Sequence, residues 1–426
     1  MLGSDWISLI ILAFCVVLFV TDAFTMATTS VLGCILMVIF QVADFHAVFG
    51  QFSSDSVFLL ISMMIMGTML ECTGVAHIIV HALIRISRGN ERLMVTLMSM
   101  SCALLSAFLS NIATLSLFIA LFFNLPRGQE KIDIRNFMLP LGMASVIGGA
   151  ATLLGSAPQL STQQFLNDNG YPIFGVFDYS YIGFPLVALL GFYIYFIGYP
   201  AGQKIWKDRE GDAPAIYAEC DEKELPALSS RGILAVLIFV GTVFLLFLEP
   251  THMPLIACCG AAFSVIFHCI SPQNAMRAVQ WSSVIKLAGC LGILKAVSMS
   301  GGMQLLGKLL LGIAGGSPTP QFLLLVSIII TMLLSEFMTN SMALMIVLPS
   351  VSSICVTSGL SVRAYAMALT LACSMAVSCP LSNTSMTIVS TYGYRFSDFV
   401  RYNILWDVFS TILIFMLTPV FFPLIP

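Results

Sequence analysis

Apolar runs of about twenty residues recur from one end of this chain to the other, and each is long enough to cross a bilayer as a helix. Only 9% of the 426 residues are charged, against roughly a quarter in soluble domains. So few charges cannot cover a water-soluble body of this size, and the sequence is read as an all-α polytopic membrane protein. Spans are expected near 6–21, 26–42, 57–72, 136–155, 180–199, 231–249, 253–270, 282–299, 364–380 and 403–424. The net charge of -3 carries no message about partners, because the charges gather between spans, and nothing points to nucleic acid.

Two apolar segments do not fit a single span. From Leu93 to Pro126 no residue is charged, and the polar pair Ser110-Asn111 interrupts the run near its centre. The segment is too long for one crossing and too short for two with a loop. Arg85, Arg88 and Arg92 precede it and Arg127, Lys131 and Arg135 follow it. The positive-inside rule places both flanks in the cytoplasm, so the segment 93–126 is expected to be a re-entrant hairpin. A second, at 320–356, turns near Thr339-Asn340 and carries one acid, Glu336. With the N-terminus outside, 15 of the 18 Lys and Arg fall in cytoplasmic stretches, Lys286 among them. The loops read as outside, 43–55 and 158–179, hold Asp44, Asp55, Asp168 and Asp178 and no Lys or Arg.

The two halves resemble each other at an offset of 229: Phe52-Ser53-Ser54 matches Trp281-Ser282-Ser283, Ser106 matches Ser335, and Asn111 matches Asn340. An odd number of crossings between matching points means that the second copy is inverted. The division expected is a first repeat at 1–199, a cytoplasmic linker at 200–230 and a second repeat at 231–426. Inverted repeats of this kind mark secondary transporters whose site lies where the repeats meet. Each repeat also has a second break, near 148–158 (Gly148-Gly149 to Gly155-Ser156-Ala157-Pro158) and near 376–383 (Ser378-Cys379-Pro380). A helix broken at mid-depth leaves backbone groups that lipid cannot satisfy, so the break must line a cavity or bind something. Helix N-termini suit anions there, and free carbonyls suit Na⁺.

At these four breaks, and in the closing Tyr-Gly-Tyr-Arg-Phe-Ser-Asp-Phe run at 392–399, the chain resembles the divalent anion:sodium symporters, a branch of the ion transporter superfamily. That resemblance implies Na⁺ as coupling ion, with one sodium site at Ser106, Ser110, Asn111 and a carbonyl near Gly149. A second would use Ser335, Met338, Asn340 and Ser378, the methionine and Ser378 through their carbonyls. The anion would lie between Ser110-Asn111 and Thr339-Asn340-Ser341, with Cys379 and Pro380 alongside. It further implies a homodimer that imports C4-dicarboxylates, citrate or sulfate by elevator-like alternating access. The chain departs from the family at Ile112 and Cys379, where threonine is usual, and at Gln159 and Ser382.

Plainer readings stand beside these. Ser and Asn inside membrane helices often only tie helices together, at about 0.6 kcal/mol per bond. Glu336 is either a structural, hydrogen-bonded acid or a coupled one, and the latter would suit the alternative of a cation/proton antiporter or an oxyanion exporter. Glu71 and Asp407 are expected at interfaces, Lys286 and Lys295 are long enough to snorkel, and Lys295 has no partner legible in the sequence. The cysteines read as small buried hydrophobes. The five histidines lack metal spacing and no nucleophile–base pair is evident, so an enzyme is not expected. Lys and Arg bias fits a bacterial inner membrane, with both termini outside.

Overall fold

The computed structural model describes residues 3–20, 24–71, 86, 90–123, 133–206, 230–249, 252–303, 305, 319–380 and 383–425. Most of the linker read at 200–230 lies outside these, as do Arg85, Arg88, Arg127, Lys131 and Ser382. The described residues are helical, with no strand among them. Seven of their helices are long and apolar enough to cross a membrane, and shorter apolar helices accompany them.

The helices are α1 (Ser4–Val20), α2 (Met26–Ile39), α3 (Phe45–Phe49), α4 (Asp55–Glu71), α5 (Glu91–Ser106), α6 (Asn111–Phe123), α7 (Arg135–Gly149), α8 (Ala157–Asp168), α9 (Ser180–Tyr193) and α10 (Tyr199–Trp206). Then follow α11 (Ser230–Leu248), α12 (Met253–Ile266), α13 (Pro272–Ala278), α14 (Trp281–Met299), α15 (Pro320–Phe337), α16 (Asn340–Thr357), α17 (Val362–Met375), α18 (Thr384–Ser390) and α19 (Phe396–Phe421). Every expected span has its helix. The first hairpin is α5–α6, and its entry is capped by Asn90, whose side chain accepts from the Leu93 N–H at 3.2 Å. Helix α5 has 16 residues, about 24 Å at 1.5 Å per residue, short of a hydrocarbon core of about 30 Å. The second hairpin is α15–α16, entered at Thr319-Pro320 and turning at Met338-Thr339. Its legs have 18 residues each, so length by itself does not make them re-entrant.

Two bodies emerge from the packing. Helices α1–α4 and α11–α14 pack on one another as a frame, while the hairpins, the broken helices α7/α8 and α17/α18, and α9, α10 and α19 form a hairpin body. Small residues set the tightest approaches, as is usual where lipid supplies no hydrophobic drive between helices. A Cβ on Gly148 would strike the Ala103 backbone, and one on Gly289 would meet Ser30. The bodies touch chiefly where α8 and α16 meet α14, and α8 meets α4.

The sequence reading needs correction at α8. Residues 158–179 were expected as an outside loop, yet Ala157–Asp168 is a helix with Pro158 in its first turn, and most of it is buried. Its polar residues find partners inside the protein: Thr162 Oγ1 and Thr370 Oγ1 lie 2.6 Å apart, and Ser56 Oγ donates to the Leu160 carbonyl at 2.9 Å. Polarity that suggested solvent is instead the polarity of a packed interface. Asp407 also departs from expectation. It lies well inside α19, 8% exposed, and accepts from Ser378 Oγ.

Candidate functional site

At the first hairpin, Ser106 Oγ donates to the Ser145 carbonyl at 2.6 Å. The Asn111 carboxamide lies against the same carbonyl (3.1 Å), Ser106 Oγ (3.1 Å) and the Gly155 carbonyl (3.3 Å). All three neighbours are oxygens, so the hydrogen-bond network orients Nδ2 toward them. Turned the other way, Asn111 Oδ1 completes a group of four oxygens that share the single proton of the Ser106 hydroxyl. Gly149 makes room for this: a Cβ there would overlap Asn111 Oδ1. Gly155 does so too, since a Cβ there would overlap the Gly149 carbonyl.

The second hairpin repeats the lock. Ser335 Oγ donates to the Cys373 carbonyl at 2.8 Å and lies 3.0 Å from Asn340 Oδ1. The loop beside it is held differently. Glu336, 8% exposed, accepts from the Ser378 N–H (3.1 Å) and the Cys379 N–H (2.6 Å). Asn403 Nδ2 donates to the Val377 carbonyl at 2.7 Å. Of the two roles open for Glu336, the hydrogen-bonded structural acid is the one this geometry favours, because its carboxylate satisfies the amides that the break exposes. In the first repeat, loop groups are held by Thr152, which donates to the Ala107 carbonyl, and by Ser180, which donates to the Ala151 carbonyl at 2.8 Å.

Both hairpin tips open into one cavity of about 110 Å³. Ser110, Asn111 and Ile112 line it from the first tip, and Thr339, Asn340 and Ser341 from the second. The broken helices contribute Gly155 to Pro158 and Asn383-Thr384, and the frame contributes Leu60, Met64, Gln280, Ser283 and Lys286. The volume is well above the roughly 10–15 Å³ that one water needs, yet below the roughly 300 Å³ at which drug-sized pockets begin. Three long helices, α6, α8 and α16, start at its wall, and each N-terminus acts as roughly half a positive charge. No Asp or Glu lines it among the described residues. Thr339 Oγ1 is buried there with no hydrogen-bond partner.

The structure thus brings Ser110, Asn111, Thr339, Asn340 and Ser341 to one cavity and keeps Ser106, Gly149, Ser335, Met338 and Ser378 behind the tips. Cys379 and Pro380 do not line it; Asn383 and Thr384 take that side, because the loop turns its backbone toward Glu336. Sequence reasoning missed Ser145 and Gly155, which act through carbonyls that no residue letter announces. It also counted Lys286 with the cytoplasmic charges and left Lys295 without a partner. Lys286 faces the cavity rather than an interface. Lys295 pairs with Asp168 Oδ2 at 3.6 Å, and that carboxylate also accepts from Gln51 Nε2 (3.2 Å) and Gln164 Nε2 (3.0 Å).

Known proteins with the same pattern are transporters, not enzymes. The chain is 26% identical over 315 residues to the uncharacterized transporter Rv2684 of Mycobacterium tuberculosis, covering 71% of this chain and 70% of that one. It is 25% identical over 395 residues to the sodium-dependent dicarboxylate transporter SdcS of Staphylococcus saprophyticus, covering 84% and 74%. A match to the uncharacterized transporter YfbS of Escherichia coli, 26% identical over 195 residues, takes in 46% of this chain and only 32% of that protein's length. In fold it is similar to the Alcanivorax borkumensis YdaH transporter, with a TM-score of 0.62, 15% identity, and coverage of 90% and 89%. The resemblance to the ion transporter superfamily read from the hairpin tips is therefore borne out. With the citrate transporter profile (CitMHS) matching residues 16–301 and 243–425, the chain is an integral membrane transporter that belongs to the citrate transporter family.

Proposed function

We propose that this transporter couples Na⁺ to the uptake of a small anion of the C4-dicarboxylate, citrate or sulfate class. The observation that carries the reading is the shared cavity: three helix N-termini, hydroxyls and amides from both tips and, among the described residues, one lysine and no acid. Such a wall favours negative charge, and the unpartnered Thr339 hydroxyl gives an anion a donor it would otherwise lack. The oxygen group around Asn111 supports a sodium site made of Ser106, Asn111, Ser145 and Gly155, with Ser110 at its edge and Gly149 giving clearance. A second site at Ser335, Met338, Asn340 and Ser378 is its counterpart. The sodium dependence and dicarboxylate substrate of SdcS point the same way.

The division into a frame and a hairpin body supports elevator-like alternating access. The hairpin body would slide past α4 and α14 and carry the cavity from one side of the membrane to the other. In this reading the repeats at 1–199 and 231–426 are inverted, both termini lie outside a bacterial inner membrane, and the carrier is a homodimer. Glu336 is engaged by two backbone amides, which supports a structural role for this acid over the proton-antiport alternative.

The test is uptake of radiolabelled succinate, citrate and sulfate into proteoliposomes, with an inward Na⁺ gradient or with K⁺ in its place. Na⁺-dependent uptake of one of them is expected. Uptake of none, or a rate indifferent to Na⁺, would remove the reading.

A further inference from the structure

Lys286 is the one formal charge among the described residues that line the cavity. It stands on α14, a frame helix, with Ser283 and Gln280 at successive three-residue steps on the same side. No ion pair to it occurs among the described residues. An ammonium inside a membrane protein is expensive unless something neutralises it, and no carboxylate among the described residues lines the cavity with it. The hairpin tips opposite offer neutral donors and helix N-termini, which suffice for one negative charge. The lysine offers a place for a second, on the other side of the same small space.

We infer that Lys286 is a specificity-determining residue that selects anions carrying at least two negative charges, one held at the hairpin tips and the other at its ammonium. The inference rests on the anion-transport reading. It also makes the charge pairing depend on conformation. Lys286 belongs to the frame and the tips to the hairpin body, so the anion meets both only in the arrangement described. A bound dianion then joins the two bodies, and a monoanion of equal length does not.

The experiment compares wild type, Lys286→Gln and Lys286→Arg. Thermal stabilisation of the detergent-solubilised protein is measured with succinate, citrate, sulfate and butyrate, butyrate having the chain length of succinate with one charge fewer. Uptake of the same labelled anions into proteoliposomes is measured in parallel. Wild type is expected to be stabilised by a polyvalent anion at far lower concentration than by butyrate. In Lys286→Gln that concentration should rise about tenfold for the polyvalent anion, the size expected from one charged hydrogen bond, and hardly change for butyrate. Lys286→Arg should keep the preference. A Lys286→Gln protein with the wild-type preference intact would overturn the role of Lys286 and leave anion transport standing. A wild type that neither binds nor transports any of the four would overturn the anion reading, and this inference with it.

Discussion

The two hairpins share a lock and differ in what surrounds it. In both, a serine at the end of the first leg donates to a main-chain carbonyl of the neighbouring broken helix and lies beside an asparagine five positions on. Around the first, glycines let backbone carbonyls crowd the asparagine, and the result is a pocket of oxygens. Around the second, Ser378 stands where the first has Gly149, and Glu336 stands where the first has Ala107. There the loop is tied down by carboxylates, with Glu336 on its amides and Asp407 on the Ser378 hydroxyl. The same framework thus gives one side crowded with oxygens and another held by carboxylates, so under the sodium coupling proposed above the first should dominate Na⁺ dependence.

The largest expected effect comes from breaking that asymmetry at the asparagines. Asn111→Ala should weaken the Na⁺ dependence of uptake about a hundredfold and Asn340→Ala only about tenfold, the two ends of the usual range for disturbed metal sites. Equal losses in Na⁺ titrations would make the two sites equivalent. Next, Gly149→Ala should force the new methyl group into the Asn111 amide, at about 1–3 kcal/mol for overpacking. It should lower the melting temperature and abolish the Na⁺ response, whereas Ser378→Ala, at the matching position, should keep it. Glu336→Gln replaces one accepting oxygen by a donor facing backbone N–H groups, and should cost about 1–3 kcal/mol in thermal unfolding while uptake stays Na⁺-dependent. Loss of Na⁺ dependence with unchanged stability would instead make Glu336 part of the coupling machinery. The smallest effect is expected at Asp168→Asn. Its pair with Lys295 is partly exposed, and such pairs contribute about 0–1 kcal/mol, so uptake should change less than about threefold.

The positions of the hairpins were legible because a polar Ser-Asn pair in a long uncharged run has few structural explanations, and the 229-residue offset named its counterpart. The broken helices were legible from Gly and Pro. What surrounds them was less so. Helix α8 looked like a solvent loop because Gln159, Ser161, Thr162 and Gln164 are polar, and their burial depends on Ser56 and Thr370 from distant parts of the chain. Asp407 looked interfacial because its partner, Ser378, is close only in space. Ser145 and Gly155 take part through main-chain oxygens. Lys286 was counted with the cytoplasmic charges, since nothing in a linear run says which face of α14 looks toward the tips.

Because the cavity wall is divided between the two bodies, its small size bears on pharmacology. A molecule that placed one acidic group on the hairpin tips but carried a bulky tail toward Gln280 and Ser283 would outgrow the cavity. Under the elevator-like mechanism proposed above, it would act as a wedge between the two bodies while escaping carriage itself. Blockers of this transporter should therefore be sought by enlarging a poor substrate rather than by tightening a good one, and they should arrest the carrier in a single conformation.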